Sequence, residues 1–395
     1  MAREEAAPTF ATWLRRLESS PEGGEAERFL EVLRTLGTPL IDGPAVSFVY
    51  HDPQARGVAV AGEFNQWGRT GDLATMERLP GTGIFHYTLN LSQPARLEYK
   101  LIVDGEWKLD PLCHNVVDNG IGGQNSYFVV GEFQEPPELQ WVEGIPHGRV
   151  EDFELDSSHR GNRRTVYVYL PPGYAAAKER LPVLYVHDGG EYLNRARLPV
   201  VLDNLIHGGA VARLIAVMVD PVDRMVEYRM NDAYADFVAD ELLPDIDRRY
   251  RTFTGPDGRG VMGASLGGLI SVYLALTRPG LFSRAASQSG AFLLADDRIA
   301  GLAHGARPEQ SFYFDVGKYE PRFIPAHVKV IEALKSRGCR CFFQELAGGH
   351  NWTSWSAHLR DLLMFLWPVP EPTPASRRPG RSASPRRSKS ARRGK

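Results

Sequence analysis

The sequence predicts two domains in tandem: a small antiparallel β-sandwich, then an α/β domain on an open, mostly parallel sheet with helices on both faces. Three observations predict this. From Val46 to Val130, short segments of alternating apolar residues recur between turn signals. From residue 151 onward, strand-like runs alternate with helical periods, and parallel strands need such crossovers. Between the two, "GEFQEPPELQWVEGIPHG" is rich in Pro and Gly and reads as a linker. A chain of 395 residues can bury two separate cores.

Bulk composition narrows the function. A hydrophobic fraction of 43% and an aromatic fraction of 10% are those of a globular protein. The formal net charge of −2 conceals an asymmetry, because the last twenty residues, "SRRPGRSASPRRSKSARRGK", hold nine basic residues and no acid. Without them 37 basic residues face 48 acidic ones, so the body is acidic and no nucleic acid is expected as a partner. The tail has almost nothing to bury, and disorder is expected over residues 369–395. The first 24 residues lack the apolar run of a signal peptide. No window approaches the roughly 18 apolar residues of a membrane helix, so no membrane partner is expected. Cys113, Cys339 and Cys341 form an odd, sparse set, and the spacing of the last two strains a disulfide; a cytoplasmic, reducing location is expected.

Taken in order, residues 1–43 hold two helical pieces, "FATWLRRLES" and "EAERFLEVLRTLG", broken by Pro21-Glu22-Gly23-Gly24 and closed by Gly37 and Pro39. Residues 44–131 form the immunoglobulin-like sandwich, with strands at "AVSFVYHD", "GVAVAGEF", "GIFHYTLNL", "ARLEYKLIVDG", "EWKLDP" and "NSYFVV". Residues 132–150 are the linker. Over 151–368, strands are expected at "GRVEDFELDS", "RTVYVYLPPGY", "PVLYVHDG", "LIAVMVDP", "RGVMGAS", "RAASQSG", "SFYFDVG" and "CRCFFQEL". The first two, joined by a hairpin, form an antiparallel edge. Helices such as "GGLISVYLALTRP" and "WTSWSAHLRDLLMFLW" fill the gaps, and Pro368 and Pro370 end the fold.

One motif carries chemistry. Gly263-Ala264-Ser265-Leu266-Gly267 lies between a buried-type strand and an apolar helix. A serine on so sharp a turn has strained backbone angles, and the residues two positions away must be small for strand and helix to cross. The turn lifts the Ser265 hydroxyl above the sheet and puts the Leu266 N–H at a helix start, where an oxyanion is stabilised. The base is His350 in "ELAGGHNWTSW", a loop after a strand and before the last helix. His327 and His358 fall inside predicted helices. For the orienting acid "SFYFDVGKYEP" offers Glu320, favoured because it lies in the loop past the strand, and Asp315 within the strand. Ser, acid, His is the chain order of α/β-hydrolases. Gly189 and Gly190, in "PVLYVHDGGEYL", are placed to supply the second oxyanion N–H. No HExxH or paired CxxC is present and His187-Asp188 is a lone pair, so neither metal nor cofactor is expected.

At these residues the second domain resembles the enterochelin-esterase branch of α/β-hydrolases, which includes feruloyl and acetylxylan esterases and mycolyltransferases. The resemblance covers residues 150–368 and rests on "VLYVHDGGEY", "VDPVDRMVEYR", "DELLPDIDRRYRT", "GASLGGL", "LFSRAASQSGAF" and "GGHNWTSW". It implies a triad of Ser265, Glu320 and His350, and places Arg224 and Arg229 in the region lining the cleft. The first domain resembles the glycogen-binding module of AMP-activated kinase and of branching enzymes, through "VAVAGEFNQWG", "LEYKLIVDGEWKLDP" and "IGGQNSYF". That implies sugar contacts at Trp67, Lys100, Trp107 and Asn125, with Gly123 where the kinase module has a threonine. Flat indoles suit the C–H faces of pyranose rings.

The expected function is therefore a serine ester hydrolase working through an acyl-enzyme on a small-molecule ester, either a siderophore-type lactone or an acylated sugar. Two alternatives use the same residues differently: acyl transfer to a sugar hydroxyl, and a glucan-binding protein whose second domain is inert.

Overall fold

Phe10, Trp13 and Leu17 fall on one face of the helix Phe10–Ser19, and Phe29 and Leu33 on one face of Glu25–Leu36. The computed structural model describes residues 9–19, 24–69, 71, 73–91, 94–120 and 122–369. In it both faces bury against Val49 and Ile84 of the first β-sheet and against Leu79, just past its last strand. The break at Pro21-Glu22-Gly23 and the basic tail beyond residue 369 lie outside the described residues.

An antiparallel β-rich domain follows, made of two sheets. One runs in the order Leu40–Asp42, Ala45–His51, Ile84–Asn90, Glu77–Arg78. The other runs Ala74–Thr75, Val58–Gly62, Ala95–Val103, Gln124–Val130, Val116–Asp118, with Glu106–Lys108 also paired to Ala95–Val103. Leu97, Tyr99, Leu101 and Val103 point inward to a core shared with Phe48, Val60 and Phe128. The period of two therefore sends Arg96, Glu98, Lys100 and Ile102 to the opposite face. Four strands escaped the sequence reading, Leu40–Asp42, Ala74–Thr75, Glu77–Arg78 and Val116–Asp118; each is two or three residues, too short for a period to register. The expected strand "GVAVAGEF" also ends early, at Gly62. Glu63–Gly68 is a tight helical turn with Gln66 and Trp67 at φ 52° and 58°.

The second domain carries one mixed eight-stranded sheet, in the order Arg149–Ser157, Asn162–Leu170, Ile215–Val219, Val183–His187, Arg259–Ala264, Arg284–Gln288, Ser311–Gly317, Arg340–Leu346. The first two strands form an antiparallel hairpin, the second is antiparallel to the third, and the rest are parallel. Successive residues of Val183–His187 feed opposite faces: Val183 and Tyr185 one core, Leu184 and Val186 the other. The linker segment is pinned to this domain. Leu139 buries in the second core, and the Asn204 amide donates to the carbonyls of Glu138 (2.8 Å) and Gln140 (2.9 Å).

After Val183–His187 the chain turns to Ile215–Val219 on one side, then crosses to Arg259–Ala264 on the other. Such a reversal opens a crevice at the carboxyl ends of the two central strands. Asp188-Gly189 and Ser265 follow those two ends directly. All three cysteines are free thiols, and no helix among the described residues is long and apolar enough to cross a membrane.

Candidate active site

Ser265 stands at φ 57° and ψ −118°, between the strand Arg259–Ala264 and the helix Leu266–Thr277. An L-residue there costs about 1–3 kcal/mol. Three hydrogen bonds at about 1 kcal/mol each offset it: Ser265 N–H to Gln288 O (2.8 Å), Leu269 N–H to Ser265 O (3.0 Å) and Ala291 N–H to Ser265 O (2.9 Å). Gly263 is sterically required, and a side chain at Gly267 would press on its neighbour. A Cβ on Gly263 would lie 2.5 Å from the Gly267 carbonyl carbon, and one on Gly267 would lie 3.0 Å from Asp188 Oδ2.

His350 lies in the loop before the helix Trp352–Ala357, and its Nε2 is 2.9 Å from Ser265 Oγ. Its Nδ1 is 2.5 Å from Glu320 Oε1. A carboxylate only accepts, so Nδ1 carries the proton and Nε2 faces the serine as an acceptor. The other Glu320 oxygen accepts from Ser289 Oγ (2.6 Å) and from the Gly317 N–H (2.8 Å). Burial would raise the Glu320 pKa, but the positive charge of the His350 ring when it is protonated and these hydrogen bonds outweigh it and hold the carboxyl below the usual range. Gly317 makes this approach possible, because a Cβ there would lie 2.2 Å from the Gly348 carbonyl of the histidine loop. Phe323 and Trp355 flank the imidazole at ring distances of 4.9 and 5.0 Å. Trp355 also donates its indole N–H to Ser289 Oγ (3.1 Å). Ser289 and Trp355 were missed from sequence, since neither type is diagnostic; only the family-like runs "SQSG" and "NWTSW" marked their places.

Asp315, the alternative acid, is fully buried in its strand, where it accepts from Gln288 Nε2 (3.2 Å). Burial, partly opposed by that hydrogen bond, pushes its carboxyl up to about 7. A carboxyl raised on folding contributes its stability below the unfolded value of about 3.9, and loses it as pH rises through the folded value. Asp315→Asn cannot ionise. It is expected to lose less Tm than wild type between about pH 5 and about pH 8; parallel Tm–pH curves for the two proteins would contradict this.

One oxyanion candidate needs correction. The Gly190 N–H donates to Asp220 Oδ1 at 2.7 Å, so this amide is already spent. Gly189, first residue of the helix Gly189–Asn194, is the one left, and it must be glycine because a Cβ would lie 2.5 Å from the Met218 carbonyl carbon. Leu266 opens its helix, where the first N–H groups lack a carbonyl in the preceding turn. Arg224 ties the two sides together. Its guanidinium pairs with Asp188 through two bonds (2.7 and 2.8 Å) and reaches Ala264 O at 3.2 Å. Arg229 is exposed.

The four candidate sugar contacts divide. Trp67 and Trp107 stand side by side, centroids 6.4 Å apart and planes 32° apart, with Trp107 half exposed. Lys100 is half-buried on the same strand as Ile102, the register partner of Trp107. Asn125 departs from expectation: it is buried, and its amide donates to Glu98 Oε2 at 2.8 Å. That face of the β-rich domain packs against the α/β domain. Asp118 pairs with Arg195 (3.0 Å), and a Cβ on Gly120 would lie 2.9 Å from the Trp352 indole nitrogen. Glu63, also buried, accepts from the Asn351 amide through both oxygens (2.8 and 2.9 Å).

The family described as "Putative esterase" matches residues 157–366. The chain belongs to this esterase family. A second match, to the "Glycogen recognition site of AMP-activated protein kinase", covers residues 45–135. The esterase is 25% identical to an iron(III) enterobactin esterase of Dickeya dadantii over 91% of this chain and 97% of that one. It is 26% identical to an endo-1,4-beta-xylanase/feruloyl esterase of Xylanibacter ruminicola over 66% of this chain and 39% of the relative. The crystal structure of a ferric enterobactin esterase from Salmonella typhimurium superimposes with a TM-score of 0.67, at 22% identity, over 82% of this chain and 93% of that one. The fold is thus that of an enterochelin esterase-like α/β-hydrolase with an N-terminal β-rich domain.

Proposed function

We propose that this esterase hydrolyses a small carboxylic ester through Ser265, His350 and Glu320, by way of an acyl-enzyme. The observation that carries the reading is the run of contacts from Ser265 Oγ to His350 Nε2 (2.9 Å) and from His350 Nδ1 to Glu320 Oε1 (2.5 Å). Ser265 Oγ attacks the ester carbonyl as its proton passes to Nε2, and Glu320 steadies the imidazolium. The tetrahedral oxyanion is held by the N–H groups of Leu266 and Gly189. His350 then returns the proton to the leaving alcohol. Water, deprotonated by the same nitrogen, attacks the acyl-enzyme, releases the acid and restores Ser265.

Two substrate classes are proposed, a siderophore-type lactone or an acylated sugar, and the likeness to proteins named enterobactin esterase and feruloyl esterase supports them. Domain limits of 44–131 and 151–368, an immunoglobulin-like form for the first and a cytoplasmic site of action complete the proposal. The test is a burst of p-nitrophenol from p-nitrophenyl acetate, with covalent labelling of Ser265 by an alkyl fluorophosphonate. Absence of both the burst and the label would end this reading.

A second reading, glucan binding by the β-rich domain, is favoured by the adjacent Trp67 and Trp107 indoles and the match over residues 45–135. Lys100 would bond sugar hydroxyls beside them. A Trp67→Ala/Trp107→Ala protein is expected to lose retention on amylose in affinity electrophoresis; mobility equal to wild type would remove the glucan.

A further inference from the structure

The histidine loop is held from both domains. Asn351, next to His350, caps the helix Trp352–Ala357 with its side-chain oxygen, which accepts the Ser354 N–H at 2.8 Å. Its amide nitrogen points the other way, to both oxygens of Glu63, 288 positions earlier in the chain. Glu63 is fixed in turn. Its Oε2 accepts the Glu98 N–H (2.9 Å), and Glu98 is held by Asn125 (2.8 Å) and Arg96 (3.3 Å). The backbone at Gly349 lies on the same carboxyl, since a Cβ there would fall 2.2 Å from Glu63 Oε1. Contacts to Glu63 therefore bracket His350 on both sides, at Gly349 and at Asn351. A buried carboxyl at a domain boundary is costly unless its bonds are made, and here most of them are made to this loop.

We propose that Glu63 is a positioning residue of the active site, supplied by the β-rich domain, which sets His350 against Ser265 by clamping Asn351 and the Gly349 backbone. It rests on His350 acting as the base. Without Glu63 the helix keeps its cap through the Asn351 oxygen, but the loop loses its fixed side. A base displaced by a fraction of an ångström transfers protons poorly, while the substrate still binds.

The test uses the full chain and p-nitrophenyl acetate. Glu63→Ala is expected to lower kcat about 10- to 100-fold with KM within about twofold, and to slow fluorophosphonate labelling in parallel. Glu63→Gln keeps one acceptor oxygen and is expected to recover most of the loss. The double variant Glu63→Ala/Asn351→Ala is expected to be no slower than the slower single variant, because both remove one link. Wild-type kcat in folded Glu63→Ala, or a double variant showing the product of the two single losses, would overturn the clamp. If Glu63→Ala does not fold, Asn351→Ser, which keeps a capping oxygen for the Ser354 N–H but has no amide to give Glu63, reads the same link: a lowered kcat at constant KM supports it and an unchanged kcat overturns it. Ser265→Ala separates the two proposals, since full turnover there removes the triad itself, whereas an inactive Ser265→Ala beside a fully active Glu63→Ala removes only the clamp.

Discussion

Ser265→Ala is expected to lower kcat for p-nitrophenyl acetate by about 10⁴- to 10⁶-fold and to abolish fluorophosphonate labelling. The size follows from what remains. His350 and Glu320 would still form their hydrogen-bonded pair, and the proposed oxyanion amides of Leu266 and Gly189 would be unchanged. No atom would be left to form the acyl bond, so the reaction would fall back on direct attack by water. Folding is not expected to suffer. The positive φ that strains Ser265 strains alanine equally, and the three backbone hydrogen bonds at this residue need no side chain. Tm is therefore expected within a few degrees of wild type, so lost turnover is read as chemistry. A variant retaining a tenth of wild-type kcat would place the nucleophile elsewhere.

Much of this site was legible because its demands are steric and local. The elbow requires small residues on both sides of Ser265, and Gly263 and Gly267 stand there in the sequence. The central strands of the large sheet were visible because strands buried on both faces read as short, largely apolar runs of five to seven residues between helical periods, and the nine-residue hairpin strands by their alternation. What depends on distance along the chain was not legible. Asp315 and Glu320 lie five positions apart at one strand end, and only the turn at Gly317, packed on Gly348, aims the second at His350. A pair of glycines after His187 and Asp188 suggests free amides, but nothing local reveals that Asp220 takes the Gly190 N–H. Asn125 sits in a run resembling a sugar site, yet the packing of the α/β domain and the Glu98 carboxylate turn it into a structural donor. Glu63 gave one faint signal, an acid closing the apolar run "VAVAGEF". Its partner could not be guessed from any local pattern.

Glu320→Gln is expected to lower kcat by about 10³- to 10⁴-fold, nearly as much as removal of the nucleophile, although it replaces one atom. The surroundings dictate which end of the amide faces the histidine. The Gly317 N–H donates at 2.8 Å and needs an acceptor, so the glutamine oxygen is expected to take the Oε2 position and its NH₂ the Oε1 position. That NH₂ donates to His350 Nδ1. The imidazole proton is then driven to Nε2, which faces Ser265 as a donor and cannot receive its proton. KM is expected to change little, because Glu320 is buried behind the imidazole, 4% exposed. Asp315→Asn, whose carboxylate faces Gln288, is expected not to reproduce the loss. A second readout comes from pH. Glu320 is held below the usual carboxylate range, so its stabilising contribution is present above the unfolded value of about 4.3 and is lost as pH falls through the lower folded value. Glutamine has no such titration. The Tm of Glu320→Gln is expected to lie below wild type at neutral pH, with the gap closing as the solution is acidified below about pH 4. A gap that stays constant down to pH 3, or a kcat within tenfold of wild type, would show that another group orients the base.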